Sequence, residues 1–270
     1  MGNLILQFFM KMKSFFPKIY LIVLALMMIL YYFLRSPDNI FFAQLQMESD
    51  AMTIVNYYIP RQIKLEDHPR EPLLKLPEFK SNHPRYGTLI LGNGNDSLFT
   101  IILDESKQEG FSYLYIDKNN NEDLTDDGEP FWDEDKITYW TKDVLMDVRY
   151  ENNPQAAVPY QVSFYRYKNR LDDVIVAYRN CYRKGQIALK DTTYKIAILD
   201  DDLDGFFHDI NQGAIIIDVN HDGVLDGNTD SPELLEFAQP DQAFNVQGYS
   251  YKIKYVSPSG DKITLALADT

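Results

Sequence analysis

The chain has 270 residues and a formal charge of −14, with 26 lysines and arginines against 40 aspartates and glutamates. An acidic surface of this size argues against nucleic-acid binding, and average shares of hydrophobic (45%) and charged (24%) residues exclude disordered and collagen-like chains. A single cysteine, Cys181, excludes an intrachain disulfide and a cysteine-rich zinc site.

The N-terminal region contains a candidate membrane-spanning segment. Residues 19–34 carry no charge and no helix breaker, and counting back to Phe15 gives about 20 residues, enough to cross a bilayer. Three lysines precede this run and only Arg35 follows closely, which places the N-terminus in the cytoplasm and the body in the periplasm or outside the cell. We predict that residues 15–34 tether the protein to the membrane as an uncleaved signal anchor. A cleaved signal peptide is the alternative, but the run is long and lacks a small-residue cleavage site directly after it.

Residues 36–85 are predicted to connect this anchor to the body. Apolar residues up to Tyr58 recur at a loosely helical spacing, which predicts a short juxtamembrane helix. Five prolines between residues 60 and 84 lie among charges, which predicts an extended, semi-rigid spacer. The predicted organisation is a cytoplasmic tip and signal-anchor helix (1–35), the juxtamembrane helix and spacer (36–85), a β lobe with a first acidic loop (86–155) and a β lobe with two more (156–270).

From Tyr86 onward, short apolar segments of period two alternate with turn residues. The aromatic share of 14% also favours strands, and Asn93–Gly94 between two apolar runs predicts a hairpin over 88–103. We therefore predict an all-β, mainly antiparallel fold, either a sandwich or a partly open barrel, behind an N-terminal transmembrane helix. The further predicted strands are 111–117, 137–149, 158–167, 173–183, 193–200, 213–219, 248–256 and 262–267.

The clearest chemical signal is the acidic loop that follows the apolar segment 213–217. Side-chain oxygens at positions 1, 3 and 5 of a tight turn converge, glycine at position 6 permits the bend, and the carbonyl at position 7 completes one side of a calcium shell, as in EF-hand loops. Leu225 at position 8 is expected to plug the loop into the core. Position 12 is Thr229 where glutamate is usual, so Asp230 or Glu233 could reach back instead. The predicted metal ligands are Asp218, Asn220, Asp222, the carbonyl of Val224, Asp226 and Asp230.

Two further loops repeat the same placement of oxygen-bearing side chains and the same apolar eighth residue. Aspartate, asparagine and glycine also make ordinary turns, yet the shared pattern and the mutual repulsion of clustered carboxylates favour a bound cation. Oxygen ligands favour Ca²⁺ over zinc or copper. The predicted ligands are Asp117, Asn119, Asn121, Asp123 and Asp127 in one loop, and Asp200, Asp202, Asp204 and Asp209 in the other.

The C-terminal third resembles a known kind of accessory domain. The runs YKIAILDDDLDGFFHD, IIIDVNHDGVLD and FNVQGYSYKIKYVSPSGDKITLAL, within residues 190–270, resemble a β-rich acidic-loop domain found beside thioredoxin-like domains in bacterial envelope proteins; the loops resemble those of dockerins and EF-hands. The chain has no Cys-x-x-Cys motif, so the resemblance implies an accessory role without redox activity. It also implies calcium at Asp218, Asn220, Asp222 and Asp226, with a second site at Asp200, Asp202 and Asp204.

These features together predict a membrane-tethered, extracytoplasmic calcium-binding β module with a structural or binding role and no catalytic residues. The alternative is a calcium-dependent enzyme that acts on envelope polysaccharide. A protein or carbohydrate is the expected partner, and aromatic residues on two neighbouring strands are either its binding face or cross-strand pairs of the core. Those residues are Tyr160, Phe164, Tyr165, Tyr167, Tyr178 and Tyr182.

Overall fold

The computed structural model describes residues 39–51, 58–130, 132–169, 173–209, 212–225, 237–238 and 241–268. Within these ranges the chain forms antiparallel strands, which confirms the all-β prediction. The strands are β1 (Ile40–Ser49), β2 (Arg61–Lys64), β3 (Arg85–Ile90), β4 (Leu98–Ser106), β5 (Phe111–Ile116), β6 (Asp133–Glu134), β7 (Thr138–Tyr150), β8 (Asn153–Tyr167), β9 (Val174–Arg179), β10 (Cys181–Leu189), β11 (Thr192–Asp200), β12 (Gly213–Ile217), β13 (Phe237–Ala238), β14 (Phe244–Val246), β15 (Tyr249–Val256) and β16 (Lys262–Leu267).

The strands assemble into three sheets. The largest has the order β13-β12-β11-β10-β1-β16-β15-β14, the second has the order β2-β9-β8-β7-β6, and the third is β3-β4-β5. Buried side chains from all three sheets meet in one hydrophobic cluster, in which Leu45, Ile101, Phe164 and Ile196 are each at most 4% exposed. The arrangement is therefore sandwich-like, with one core under several sheets.

The predicted membrane segment, residues 15–34, lies outside the described residues. In the part of the chain that the structure does describe, no helix has the length and apolar character required to span a bilayer.

The segment 36–85 contains strands where the sequence predicted a helix and a spacer. Ile40–Ser49 is strand β1, with Ala43 and Leu45 buried and Gln44 exposed between them, so the helix prediction is wrong over this stretch. Residues 52–57 lie outside the described ranges. Strand β2 pairs with β9, and Leu65 after it is only 1% exposed. Part of the proline-rich stretch therefore belongs to the folded body, because β2 pairs within a sheet and Leu65 is buried in the core.

The hairpin predicted over 88–103 is present as the antiparallel pair β3–β4, with Tyr86 opposite Ile102. Its turn differs from the prediction: Gly92 has the positive φ (70°), and the connection runs from residue 91 to 97. The predicted boundary between lobes, at residues 155 and 156, falls inside β8, which pairs with β7 along its length.

Candidate metal centre

The three acidic loops follow strands β5, β11 and β12 and share one backbone conformation. In each loop the residues at positions 4 and 6 have positive φ, the left-handed region that ordinary residues avoid. Glycine holds position 6 in two loops, while the first loop places a glutamate there. These residues are Asn120 (55°) and Glu122 (66°), Leu203 (57°) and Gly205 (84°), and His221 (61°) and Gly223 (86°).

The loops also share their internal hydrogen bonds. The amide of position 6 donates to Oδ2 of the first aspartate, at 2.9 Å in Asp117, 2.8 Å in Asp200 and 3.1 Å in Asp218. The amide of position 7 donates to the side chain of position 5 at 2.8 Å in every loop. Position 8 is buried each time, as predicted for Leu225; the three residues are Leu124, Phe207 and Leu225. The repeated sequence spacing therefore corresponds to a repeated three-dimensional turn.

Asp200 begins the most buried of the three loops. Its carboxyl group is fully buried and accepts the amide of Leu203 at 2.9 Å and the hydroxyl of Tyr160 at 2.5 Å. Burial raises the pKa of Asp200 well above its ordinary value, and the neighbouring charges of Asp204 and Asp202 raise it further. An ionised Asp200 therefore requires a compensating positive charge.

Asp200, Asp202 and Asp204 form a compact carboxylate cluster. Each offers an oxygen, and these oxygens all lie within 4.8 Å of one another, a spacing that could hold a metal ion. Asp202 Oδ2 accepts from Arg61 Nη2 at 3.2 Å, but its Oδ1 is buried without a hydrogen-bond partner. Asp209, the fourth predicted ligand of this loop, is not among the carboxylates whose oxygens converge. Burial, followed by the charges of Asp204 and Asp202, raises its pKa to about 7.

This carboxylate cluster lies where the three sheets meet. Asp200 ends β11 of the large sheet and bonds to Tyr160 on β8, while the hydroxyl of Tyr150 on β7 donates to the carbonyl of Gly205 at 2.6 Å. Gly92, after β3, donates its amide to the carbonyl of Asp204 at 2.7 Å. A cation in this loop would therefore act on contacts among all three sheets.

The loop after β5 brings most of its predicted residues together. Asp117 is 1% exposed, and burial raises its pKa. The side-chain amides of Asn119 and Asn121 both donate to Asp126, at 3.2 and 2.9 Å, and Asn119 Oδ1 is left buried without a partner. Asp127 accepts one backbone amide, its Oδ2 is also buried without a partner, and burial raises its pKa to about 6.

Two acidic residues of this loop differ from the sequence prediction. Asp123 makes an ion pair with Lys75, whose hydrogen bond lowers the pKa of Asp123 to about 2. Its charge is therefore already balanced by a side chain from another part of the chain. Asp126, which the prediction did not include, instead joins the two asparagines. Position 10 carries no ligand in the EF-hand pattern, so the motif gave no signal for it.

The loop after β12 begins at Asp218, which is 3% exposed. Its Oδ2 accepts the amide of Gly223, and its Oδ1 is buried without a hydrogen-bond partner. Asn220 and Asp222 bond to each other, with the Asn220 side-chain amide donating to Asp222 Oδ2 at 3.1 Å. Val224 is 57% exposed. The predicted ligands Asp226 and Asp230 lie outside the described residues.

Comparisons of the chain with known protein families, with curated proteins and with solved structures find no match. The resemblance of residues 190–270 to an envelope accessory domain therefore stays a prediction.

Proposed function

We propose that the protein is a calcium-binding β module, with one Ca²⁺ in each acidic loop, and that its role is structural or binding. The observation that carries this proposal is that each loop holds a buried oxygen atom without a hydrogen-bond partner. These atoms are Asn119 Oδ1, Asp127 Oδ2, Asp202 Oδ1 and Asp218 Oδ1.

Orphaned oxygens of this kind are costly in a folded protein. A buried acceptor without a partner costs about 1–3 kcal/mol, and more when the group is charged. Asp218 is the strongest case, since the whole residue is 97% shielded from solvent yet one carboxylate oxygen bonds to nothing in the described part of the chain. A metal ion on that oxygen satisfies it without a proton.

The donor set supports calcium rather than a softer ion. The candidate ligands are carboxylate and carboxamide oxygens, and hard cations such as Ca²⁺ bind such oxygens in flexible, irregular shells. The sole cysteine, Cys181, lies fully buried in β10, and burial raises its pKa to about 12, which argues against a thiolate ligand.

In this proposal calcium cross-links the sheets as disulfides do in other extracellular proteins. Asp200 links β11 to β8 through Tyr160, so an ion that fixes the 200–205 loop also fixes the contact between the large and five-stranded sheets. We propose further that the segment 15–34 tethers the module to the membrane, with the body in the periplasm or outside the cell, as the apolar run and its flanking lysines support.

Thermal unfolding of the full chain in detergent, with millimolar calcium and then with a chelator, tests this proposal. A ligand that binds only the folded state stabilises it by about 4 kcal/mol per site when its concentration is 1,000-fold above Kd. We expect a large calcium-dependent rise in Tm that Asp222→Ala reduces and that Glu109→Ala, a change at an exposed acid outside the loops, leaves intact. An equal Tm in calcium and chelator would contradict the proposal.

A further inference from the structure

The outer face of the five-stranded sheet is unusually aromatic. Trp140 on β7 lies directly opposite Tyr165 on β8. Strand neighbours point to opposite faces, and Phe164, next to Tyr165, is fully buried in the core. Tyr165 and Trp140 therefore face outward. This resolves the question that the sequence left open: Tyr160, Phe164 and Tyr182 are core residues, whereas Tyr165, Tyr167 and Tyr178 lie on the outer face.

The outward aromatic side chains line a shallow groove of about 360 Å³. The rings form a connected series: the centroids of Tyr58 and Tyr178 are 4.5 Å apart, those of Tyr178 and Tyr165 6.2 Å, and those of Tyr165 and Tyr167 5.5 Å. Tyr58 and Tyr167 keep 38% and 37% of their surface exposed. The groove is thus lined by aromatic rings, and part of this aromatic surface, at Tyr58 and Tyr167, is open to solvent.

The rest of the lining is polar. Asp135, Thr138 and Lys142 border the rings, and no aliphatic side chain contributes to the groove among the described residues. Grooves that receive an amphipathic helix are hydrophobic along their length. Aromatic faces beside hydrogen-bonding groups instead suit a ligand that is apolar on its faces and polar at its edges.

We propose that this aromatic groove binds a neutral oligosaccharide. Pyranose rings present C–H faces that stack on Trp140 and Tyr165, and their hydroxyls bond to Asp135, Thr138 and Lys142. One carboxylate and one ammonium leave the groove without net charge, and a chain charge of −14 repels polyanionic glycans. The inference rests on the binding role proposed above and names its ligand class, but none of its contacts needs calcium.

Intrinsic fluorescence offers a local probe, because the chain has two tryptophans. Trp132 is 6% exposed and stacks on Tyr139 in the interior, while Trp140 is half-buried in the groove. The variant Trp132→Phe leaves Trp140 as the reporter. We would titrate the full-length variant, in a non-glycosidic detergent, with cellohexaose, N-acetylchitohexaose and maltohexaose, in calcium and in chelator. Calorimetric titration of the unaltered chain with the same sugars serves if Trp132→Phe does not fold.

We expect a saturable change in Trp140 emission, or saturable heat, with at least one sugar. Loss of one stacking ring by Tyr165→Ala should weaken that binding roughly tenfold, whereas Tyr255→Ala, which removes a ring 52% exposed on β15, should not change it.

Absence of saturable binding by all three sugars, or binding that Tyr165→Ala leaves unchanged, would overturn the proposal. A Trp140 emission that changes with protein concentration in the absence of sugar would overturn the proposal and indicate that a second copy of the chain occupies the groove. Sugar binding without any calcium effect on Tm would contradict the calcium sites and leave the groove supported.

Discussion

The hydrogen bond between Tyr160 and Asp200 gives the most specific prediction, because its strength depends on calcium. Tyr160 is fully buried, and its hydroxyl lies 2.5 Å from Asp200 Oδ2. In chelator, burial raises the pKa of Asp200 well above its ordinary value and so favours the neutral acid, and a bond between two neutral groups contributes about 1 kcal/mol. With calcium bound, Asp200 is ionised, and a bond to a charged acceptor contributes about 1.5–3 kcal/mol.

The variant Tyr160→Phe should therefore lower the free energy of unfolding by ~1 kcal/mol more in calcium than in chelator. By linkage, the same ~1 kcal/mol corresponds to about fivefold weaker calcium binding at this site. Urea unfolding of both proteins in both conditions measures the difference, and any packing defect from the lost hydroxyl cancels because it is present in both conditions.

Tyr150→Phe is the matched control. The Tyr150 hydroxyl donates to the backbone carbonyl of Gly205 in the same loop, an acceptor whose charge does not change. Its loss should cost about 1 kcal/mol with or without calcium. Equal costs of Tyr160→Phe in calcium and in chelator would refute the assignment of calcium to the Asp200 loop.

Burial and backbone geometry also determine how pH and substitutions in the acidic loops change the stability of the fold. Burial raises the pKa of Asp127 to about 6 and that of Asp209 to about 7, from 3.8 in both cases. The folded chain therefore binds more protons than the unfolded chain between pH 4 and 7. In chelator, Tm should fall as pH rises through this window, and calcium should abolish the fall. Glu122 has a φ of 66°, so Glu122→Gly should raise the free energy of unfolding by about 1 kcal/mol in urea titrations, while Glu122→Ala, equally strained, should not. Leu225 is 3% exposed, so Leu225→Ala should lower the free energy of unfolding by about 2–5 kcal/mol in the same urea titrations. The control Val224→Ala, at a neighbour that is 57% exposed, should lower it by less than about 0.5 kcal/mol.

The loops were predictable because their pattern is local. Side chains at positions 1, 3 and 5, a bend at position 6 and a plug at position 8 all lie within eight residues, so the order of residue types along the chain determines the turn. Glycine marks the bend at Gly205 and Gly223, whereas Glu122 adopts the same backbone without that signal. Spacing alone thus identified the equivalent loop even where position 6 was unfavourable.

The partners of the loops were not predictable, because they come from distant strands. Arg61 reaches Asp202 across 141 residues, and Tyr160 reaches Asp200 across 40. Such contacts depend on which strands become neighbours, and the sequence pattern does not fix that order. Lys75 likewise neutralises Asp123 from a segment that resembled a spacer.

Strand β1 was mistaken for a helix for a physical reason. Phe41 packs on Tyr251 in the interior, while Phe42 is 70% exposed on the opposite face. Two consecutive aromatic residues hide the alternation of a strand and imitate the spacing of an amphipathic helix. Burial at Ala43 and Leu45, with Gln44 exposed between them, shows the true period of two.

The number of calcium ions bound per chain distinguishes three occupied metal sites from three ordinary turns. Equilibrium dialysis of the full-length protein against buffered calcium should give three ions per chain. Asn119→Ala, Asp202→Ala and Asp222→Ala should each remove one ion, since each variant loses an oxygen from a different loop. A chain that binds no calcium at millimolar concentration, or that loses none through these substitutions, would contradict the account and leave the acidic loops as ordinary turns.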